Sequence, residues 1–186
     1  MASPSPTDRR FAAFSRKAVP PRMNEIPEAG LCISAFILLS KTGSPGEVVM
    51  GHLNPEADWN HIGALDHERA ARNSKGWMLP SSHLLLEESP DDAARRILRE
   101  QLGVEVQQLT KPEVFSEAYS SGKVWETAPQ NHWDLQFIFQ GEISSLNPHP
   151  AWKDLGFVDL RTIKKKDMAR FHEDILGHVG KWISPD

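Results

Sequence analysis

Residues Leu31 to Ser40 read LCISAFILLS, a near-continuous apolar run of strand length that contains β-branched residues. Such a run predicts a buried central strand, around which the rest of the fold has to be arranged. The KTGSPGE segment that follows carries Gly43, Pro45 and Gly46, which mark a turn, and EVVMGHL supplies a partner strand in a hairpin. GWMLP, ending at Pro80, reads as a short strand. Further on, VEVQQL, EVFSEAY and VWETA suggest strands, with SSG at 120 to 122 as a turn. HWDLQFIFQGEI, from His132 to Ile143, is a strand with an aromatic and aliphatic side facing the core, and GFVDL, from Gly156 to Leu160, is another. KKKDMARFHEDILGHVGKWI gives a closing helix, with Met168, Phe171, Ile175, Leu176 and Val179 near helical spacing. No internal repeat is present. Strands before and after a central helix, with a second helix at the end, predict a mixed α/β sandwich rather than a doubly wound parallel sheet.

A chain of 186 residues with 39% hydrophobic composition can bury one good core and is too short for two ordinary domains. The formal charge is −4, which provides no broad positive field for nucleic acid, so an anionic ligand would need a local positive pocket or a metal. The single cysteine, Cys32, permits neither an internal disulfide nor a thiolate zinc site. No run of 18 apolar residues suits a membrane span, and MASPSPTDRRFAAFSRKAVPPR lacks the apolar segment of a secretory signal. The expectation is a soluble, cytoplasmic protein.

Residues 1–28 are rich in Pro and Ser and carry Arg9, Arg10, Arg16, Lys17 and Arg22. They read as a flexible, solvated tail that packs at most Phe11 and Phe14 on a single domain spanning 29–186. Between Pro55 and Lys75 the pattern turns irregular, with a short helix near Leu65 to Arg72. This excursion holds His61, His67, Arg69 and Arg72. It is either a ligand-contacting loop or a surface segment held down by Trp59, Ile62 and Leu65.

Ser89-Pro90-Asp91-Asp92 is a strong helix start: a capping hydroxyl, proline at the first helical position and two acids suited to the helix dipole. The helix should run to about Leu102, with Gly103 placed to end it. At about 100° per residue, Ala93, Ala94, Ile97, Leu98 and Leu102 share an apolar arc, and Arg95, Arg96 and Arg99 lie on the other side. Gln101 falls inside that arc and Glu100 at its edge, so positions 97, 100 and 101 form one patch. Three acids there could hold a divalent metal against a diphosphate.

The stretch ending in ESPDDAARRILREQLGV resembles the Nudix box: Gly, five residues, Glu, seven residues, Arg-Glu, an aliphatic, any residue, Glu-Glu, any residue, Gly and an aliphatic. Anchoring on Gly103 and Val104 places Glu88, Arg96, Leu98 and Glu100 on matching positions. Ser82 stands for the opening glycine, Ile97 for the glutamate after the arginine, and Gln101 for the second of the paired glutamates. The resemblance extends over roughly 29 to 183 and implies a Nudix-like α/β/α sandwich with a mixed sheet.

It also implies a metal-dependent hydrolase of a nucleoside diphosphate linked to another moiety, with magnesium or manganese as cofactor. Glu100, Glu88 and Arg96 would be its catalytic set. In the family Glu88 and Arg96 would tie the loop to the helix, and Glu100 with Gln101 would be what is left of the metal site. Ile97 cannot bind a cation and Gln101 offers only a neutral oxygen, so two acids are missing from the box. Glu87, Asp91, Glu113, Glu117, Glu126 and Asp134 are candidates to replace them, although a solvated surface is the simpler reading of each.

His83, Trp77 and Arg72 are the candidate substrate-binding residues. Trp77 and Trp125 could stack a flat group, whereas Trp133 belongs to a strand and should be core; packing is the simpler reading of all three. The alternative function is a catalytically silent Nudix domain that senses a nucleotide-like ligand or serves as an interaction module. The partner expected is a small nucleotide-like ligand, with no nucleic acid, no membrane, and a homodimer left open.

Overall fold

The computed structural model describes residues 31–63, 65, 67–106, 108–119, 132–169 and 172–181. The tail at 1–28, the turn at 120–122, VWETA with Trp125 and Glu126, and Phe171 lie outside them.

Strand β1 (Leu31–Lys41) is the apolar run, and it occupies the middle of a mixed sheet. Ala35, Ile37, Leu38 and Leu39 are fully buried. Along one side β1 pairs in parallel with β5 (His132–Ile143), from Leu31 opposite Trp133 to Lys41 opposite Ile143. Its other side is divided. β2 (Ser44–Leu53) pairs near the end of β1, after a turn in which Gly43 takes φ +78°, and β3 (Ser81–His83) pairs near its start. With β4 (Glu113–Tyr119) beyond β5 and β6 (Trp152–Asp159) beyond β2, the order is β4-β5-β1-β2-β6.

Because β1 is buried on both faces, its continuous apolar pattern replaces the alternation of a half-exposed strand. Ala35, Ile37, Leu39 and Phe139 meet Ala93, Ala94, Ile97 and Leu98 of α3 (Pro90–Ile97) and the turn after it. Phe36, Leu38, Met50 and Ile138 point the other way, to Ile175 and Leu176 of α4 (His172–His178). Each large aliphatic side chain buried in these two layers contributes about 1.5–3 kcal/mol. A third cluster of Leu53, Trp59, Met78 and Trp152 anchors α1 (Trp59–Ile62) and α2 (His67–Asn73). No helix among the described residues is long and apolar enough to cross a membrane.

Several expectations need correction. VEVQQL forms no described strand: Val106 and Leu109 pack on the core, and the Thr110 N–H donates to Gln140 O as the chain crosses the end of β5. The closing helix is confined to α4. Residues 165–167 form a 3-10 turn, and Met168 bridges Trp77 instead of entering a helix. Trp133 is 41% exposed rather than core, because it lies at the start of β5 beside the edge strand β4. Arg96 is buried at 5% exposure, although helical spacing puts it opposite the apolar arc.

Candidate functional site

The helix that carries the box starts as the sequence dictates. Ser89 Oγ accepts from the Asp92 N–H at 3.2 Å and donates to Asp92 Oδ2 at 2.6 Å, with Pro90 in the first turn. That hydrogen bond from Ser89 is the main reason the Asp92 carboxyl titrates below the ordinary carboxylate range. After Ile97 the geometry changes. Leu98–Leu102 form a π turn, ended by Gly103 at φ +62°. A π turn winds more residues per turn than an α-helix, so positions past 97 depart from the spacing expected of them.

Of the three positions expected to share a patch, 97 and 101 nevertheless turn inward, as the apolar arc predicts, and 100 lies at its edge. Ile97 is fully buried within the apolar layer against β1. Gln101 is also fully buried, and its amide clasps the backbone of Ser81 at two points: Oε1 accepts from Ser81 N at 3.1 Å, and Nε2 donates to Ser81 O at 2.8 Å. Nε2 also lies 3.4 Å from Ile62 O. The Gln101 carbonyl is held in turn by Trp152 Nε1 at 2.8 Å.

Glu100 alone stays near the surface, its side chain 22% exposed. Its Oε1 accepts from Arg99 Nη2 at 3.4 Å. Its Oε2 is buried without a hydrogen-bond partner, 3.9 Å from Arg96 Nη1.

Arg96 is the hub of the loop before the helix. Nε and Nη2 engage the two Glu88 oxygens at 2.6 and 2.9 Å, a fork-to-carboxylate pair whose side chains are 6% and 10% exposed. Nη2 also donates to His83 O at 3.0 Å, and Nη1 donates to Ser82 Oγ at 3.2 Å and Ile62 O at 3.3 Å. Glu88 Oε2 accepts from the Leu85 N–H at 2.9 Å, closing a tight turn in which Glu87 adopts φ +65°. The left-handed region costs a non-glycine residue roughly 1–2 kcal/mol. The pair thus holds a strained loop onto the helix and leaves the Ser82 hydroxyl no freedom, since its proton goes to His83 O.

His83 itself lies against β1, Nδ1 being 3.1 Å from Ser34 Oγ. Ser34 pairs in register with both His83 and Gln136, so the three side chains form a polar row across the sheet on the α4 side. Within that row Gln136 is 5% exposed and its Oε1 has no hydrogen-bond partner. Sequence reasoning passed over Ser34 and Gln136. The available signal was a polar residue interrupting each apolar run, which means little until the strand register is known.

The other expected ligand residues lie elsewhere. Trp77 packs on the His52 ring at 4.1 Å, and its backbone is tied to Asp167 O and to the Ala169 N–H. Arg72 is exposed in the last turn of α2. Among the described residues no three His, Cys, Asp or Glu side chains are grouped to hold a metal. Magnesium requires oxygen donors in near-octahedral array, usually one or two carboxylates with waters and substrate oxygens. Among the described residues, Glu100 stands alone between two guanidinium groups, which does not fit the cation site that the resemblance implies.

The family model described as NUDIX domain matches residues 63–179. No curated protein matches. Of the solved structures, the bifunctional NMN adenylyltransferase/ADP ribose pyrophosphatase of Francisella tularensis is 17% identical with a TM-score of 0.53. It covers 81% of this chain, which spans only 40% of that one. The Nudix domain of Shewanella oneidensis NrtR complexed with ADP ribose is 12% identical, TM-score 0.53, covering 90% of this chain and 92% of that one. A MutT protein of Bacillus halodurans is 14% identical, TM-score 0.52, covering 80% and 81%. At these identities the structures share a fold. With the family model matched along more than half its length, this chain belongs to the Nudix family.

Proposed function

We propose that this Nudix domain binds a nucleoside diphosphate linked to another moiety and retains it rather than cleaving it efficiently. The observation that carries the reading is the fate of the two replaced acids. Ile97 is core, and the Gln101 amide spends its donor and its acceptor on the backbone of β3. What survives of the box, Glu88 with Arg96, shapes the loop. Losing a general base alone costs about 10²–10⁴ in rate, before any loss of metal is counted.

A second reading, metal-dependent hydrolysis, rests on Glu100, whose Oε2 is buried without a hydrogen bond. It requires a further acid, and Glu126 lies outside the described residues. Magnesium or manganese would be the cofactor, with Glu100 as its carboxylate donor.

The test follows melting temperature and phosphate release together, with and without magnesium and manganese, across nucleotide diphosphates. ADP ribose comes first, because two of the similar structures are named for it. Stabilisation without release supports the silent binder. Metal-dependent release abolished by Glu100→Gln supports the hydrolase. Neither response removes both readings.

A further inference from the structure

Among the described residues, the large apolar side chains left exposed are Leu86 at 64%, Val114 at 53% and Trp133 at 41%. Val114 and Trp133 share the α3 side of the sheet edge formed by β4 and β5. Val114 pairs with Phe137, which packs on the α3-side cluster, and Trp133 is on the same face two positions before Leu135 and four before Phe137. Leu86 follows Leu84, whose N–H donates to Ile33 O, so the chain there runs toward the start of β1.

Val114 pairs four positions along β5 from Trp133, so at about 3.3 Å per residue the strip runs roughly 13 Å along this edge, with Ser116 and Leu135 between. Its polar needs are already met: the Trp133 indole N–H donates to Ser116 Oγ at 2.6 Å, leaving the ring face as apolar surface. α3 covers Ala35, Ile37 and Leu39 of β1, two strands in from Val114.

We propose that Phe11–Phe14 of the same chain, the sequence FAAF, docks on this strip. Three observations select that occupant. First, the segment outside the described residues joins the sheet at Leu31, the residue paired with Trp133, so it leaves from the strip itself. Second, the 16 residues between Phe14 and Leu31 span up to about 55 Å when extended, several times the distance required. Third, the charges are complementary. Residues 1–30 hold five basic and three acidic side chains, with Arg9, Arg10, Arg16 and Lys17 flanking FAAF, whereas the rest of the chain holds 16 basic and 22 acidic. Exposed Glu87 adjoins Leu86. Tethering raises the local concentration of FAAF to about the millimolar range, so two aromatic rings suffice for docking that a free peptide would not achieve.

Acrylamide quenching of the full chain tests this, with the Trp133 component read as the difference between each chain and its Trp133→Phe counterpart. Phe11→Ser with Phe14→Ser should about double quenching of that component at every protein concentration. Equal quenching in the two chains overturns the proposal. So does protection that grows with protein concentration, since a second copy would then be the occupant. A further test pairs Phe14→Cys with Val114→Cys in a Cys32→Ser chain. An oxidised crosslink within one chain supports docking; a crosslink between chains, or none, refutes it.

Discussion

Gln101→Glu restores the acid that the family box carries at this position, and the clasp on Ser81 predicts that it harms the fold. In the wild type, Nε2 donates to Ser81 O at 2.8 Å and lies 3.4 Å from Ile62 O, while Oε1 accepts from Ser81 N at 3.1 Å. An ionised carboxylate would place an oxygen against two carbonyl oxygens at a fully buried position. A proton relieves this: a neutral carboxyl donates to Ser81 O and accepts from Ser81 N as the amide does. Keeping a carboxyl of ordinary pKa, about 4.3, protonated at about pH 7 costs about 3.7 kcal/mol, which caps the penalty.

The sign follows from a folded pKa raised above the unfolded one. The variant should match wild type below about pH 4 and lose stability as pH rises through the raised folded value, at about 1.4 kcal/mol per unit beyond the unfolded pKa. Urea denaturation at about pH 4 and about pH 7, with and without manganese, measures it. Wild-type stability of the variant at neutral pH, or its rescue by manganese, would refute the brace and show the side chain facing a cation site.

Arg96→Ala leaves Glu88 buried without its partner and should cost roughly 3–5 kcal/mol in denaturant unfolding, with Arg96→Lys recovering only part because the two-point fork is lost. Gly76→Ala places a Cβ 2.4 Å from Ala169 N and 2.6 Å from Met168 C, backbone atoms that cannot step aside; a loss of about 3 kcal/mol or more is expected from the same assay. His172 is buried, its Nδ1 accepts from the Leu79 N–H at 3.0 Å, and burial pushes its pKa down to about 3. Its contribution is therefore whole above about 6.5 and is lost as pH falls toward 3, at about 1.4 kcal/mol per unit. His172→Asn, which keeps an acceptor but takes up no proton, should flatten that acid limb of the stability curve.

The sequence predicted the elements whose chemistry is local. LCISAFILLS and HWDLQFIFQGEI are strands because their apolar residues are continuous or alternate, and Ser89-Pro90 starts α3 because each residue satisfies a helix end by itself. The apolar arc was also legible, since Ala93, Ala94, Ile97, Leu98 and Leu102 are all buried. What was not legible depended on a partner elsewhere. The π turn at Leu98–Leu102 breaks the assumed helical period, and Gln101 turns to Ser81, twenty residues earlier. Arg96 is buried because five acceptors converge on its guanidinium from Ile62, Ser82, His83 and Glu88. VEVQQL has strand composition, but beside the last residues of β5 the chain bonds through Thr110 while Val106 and Leu109 turn into the core.

The divided flank of β1 has a dynamic consequence. β3 contributes only three paired residues to that flank, and the side chains of Gln101 and Arg96 supplement it from the helix. Local openings draw on such thinly bonded segments. When residues 81–88 lift away from β1, Arg96 loses Ser82, His83 and Glu88 in the same event, because all three ride on the moving segment. The Leu84 and Leu85 amides, bonded to Ile33 O and to Glu88, should therefore exchange with solvent as one cooperative unit, earlier than β1 itself. Breathing of the box loop and release of its arginine are then a single motion.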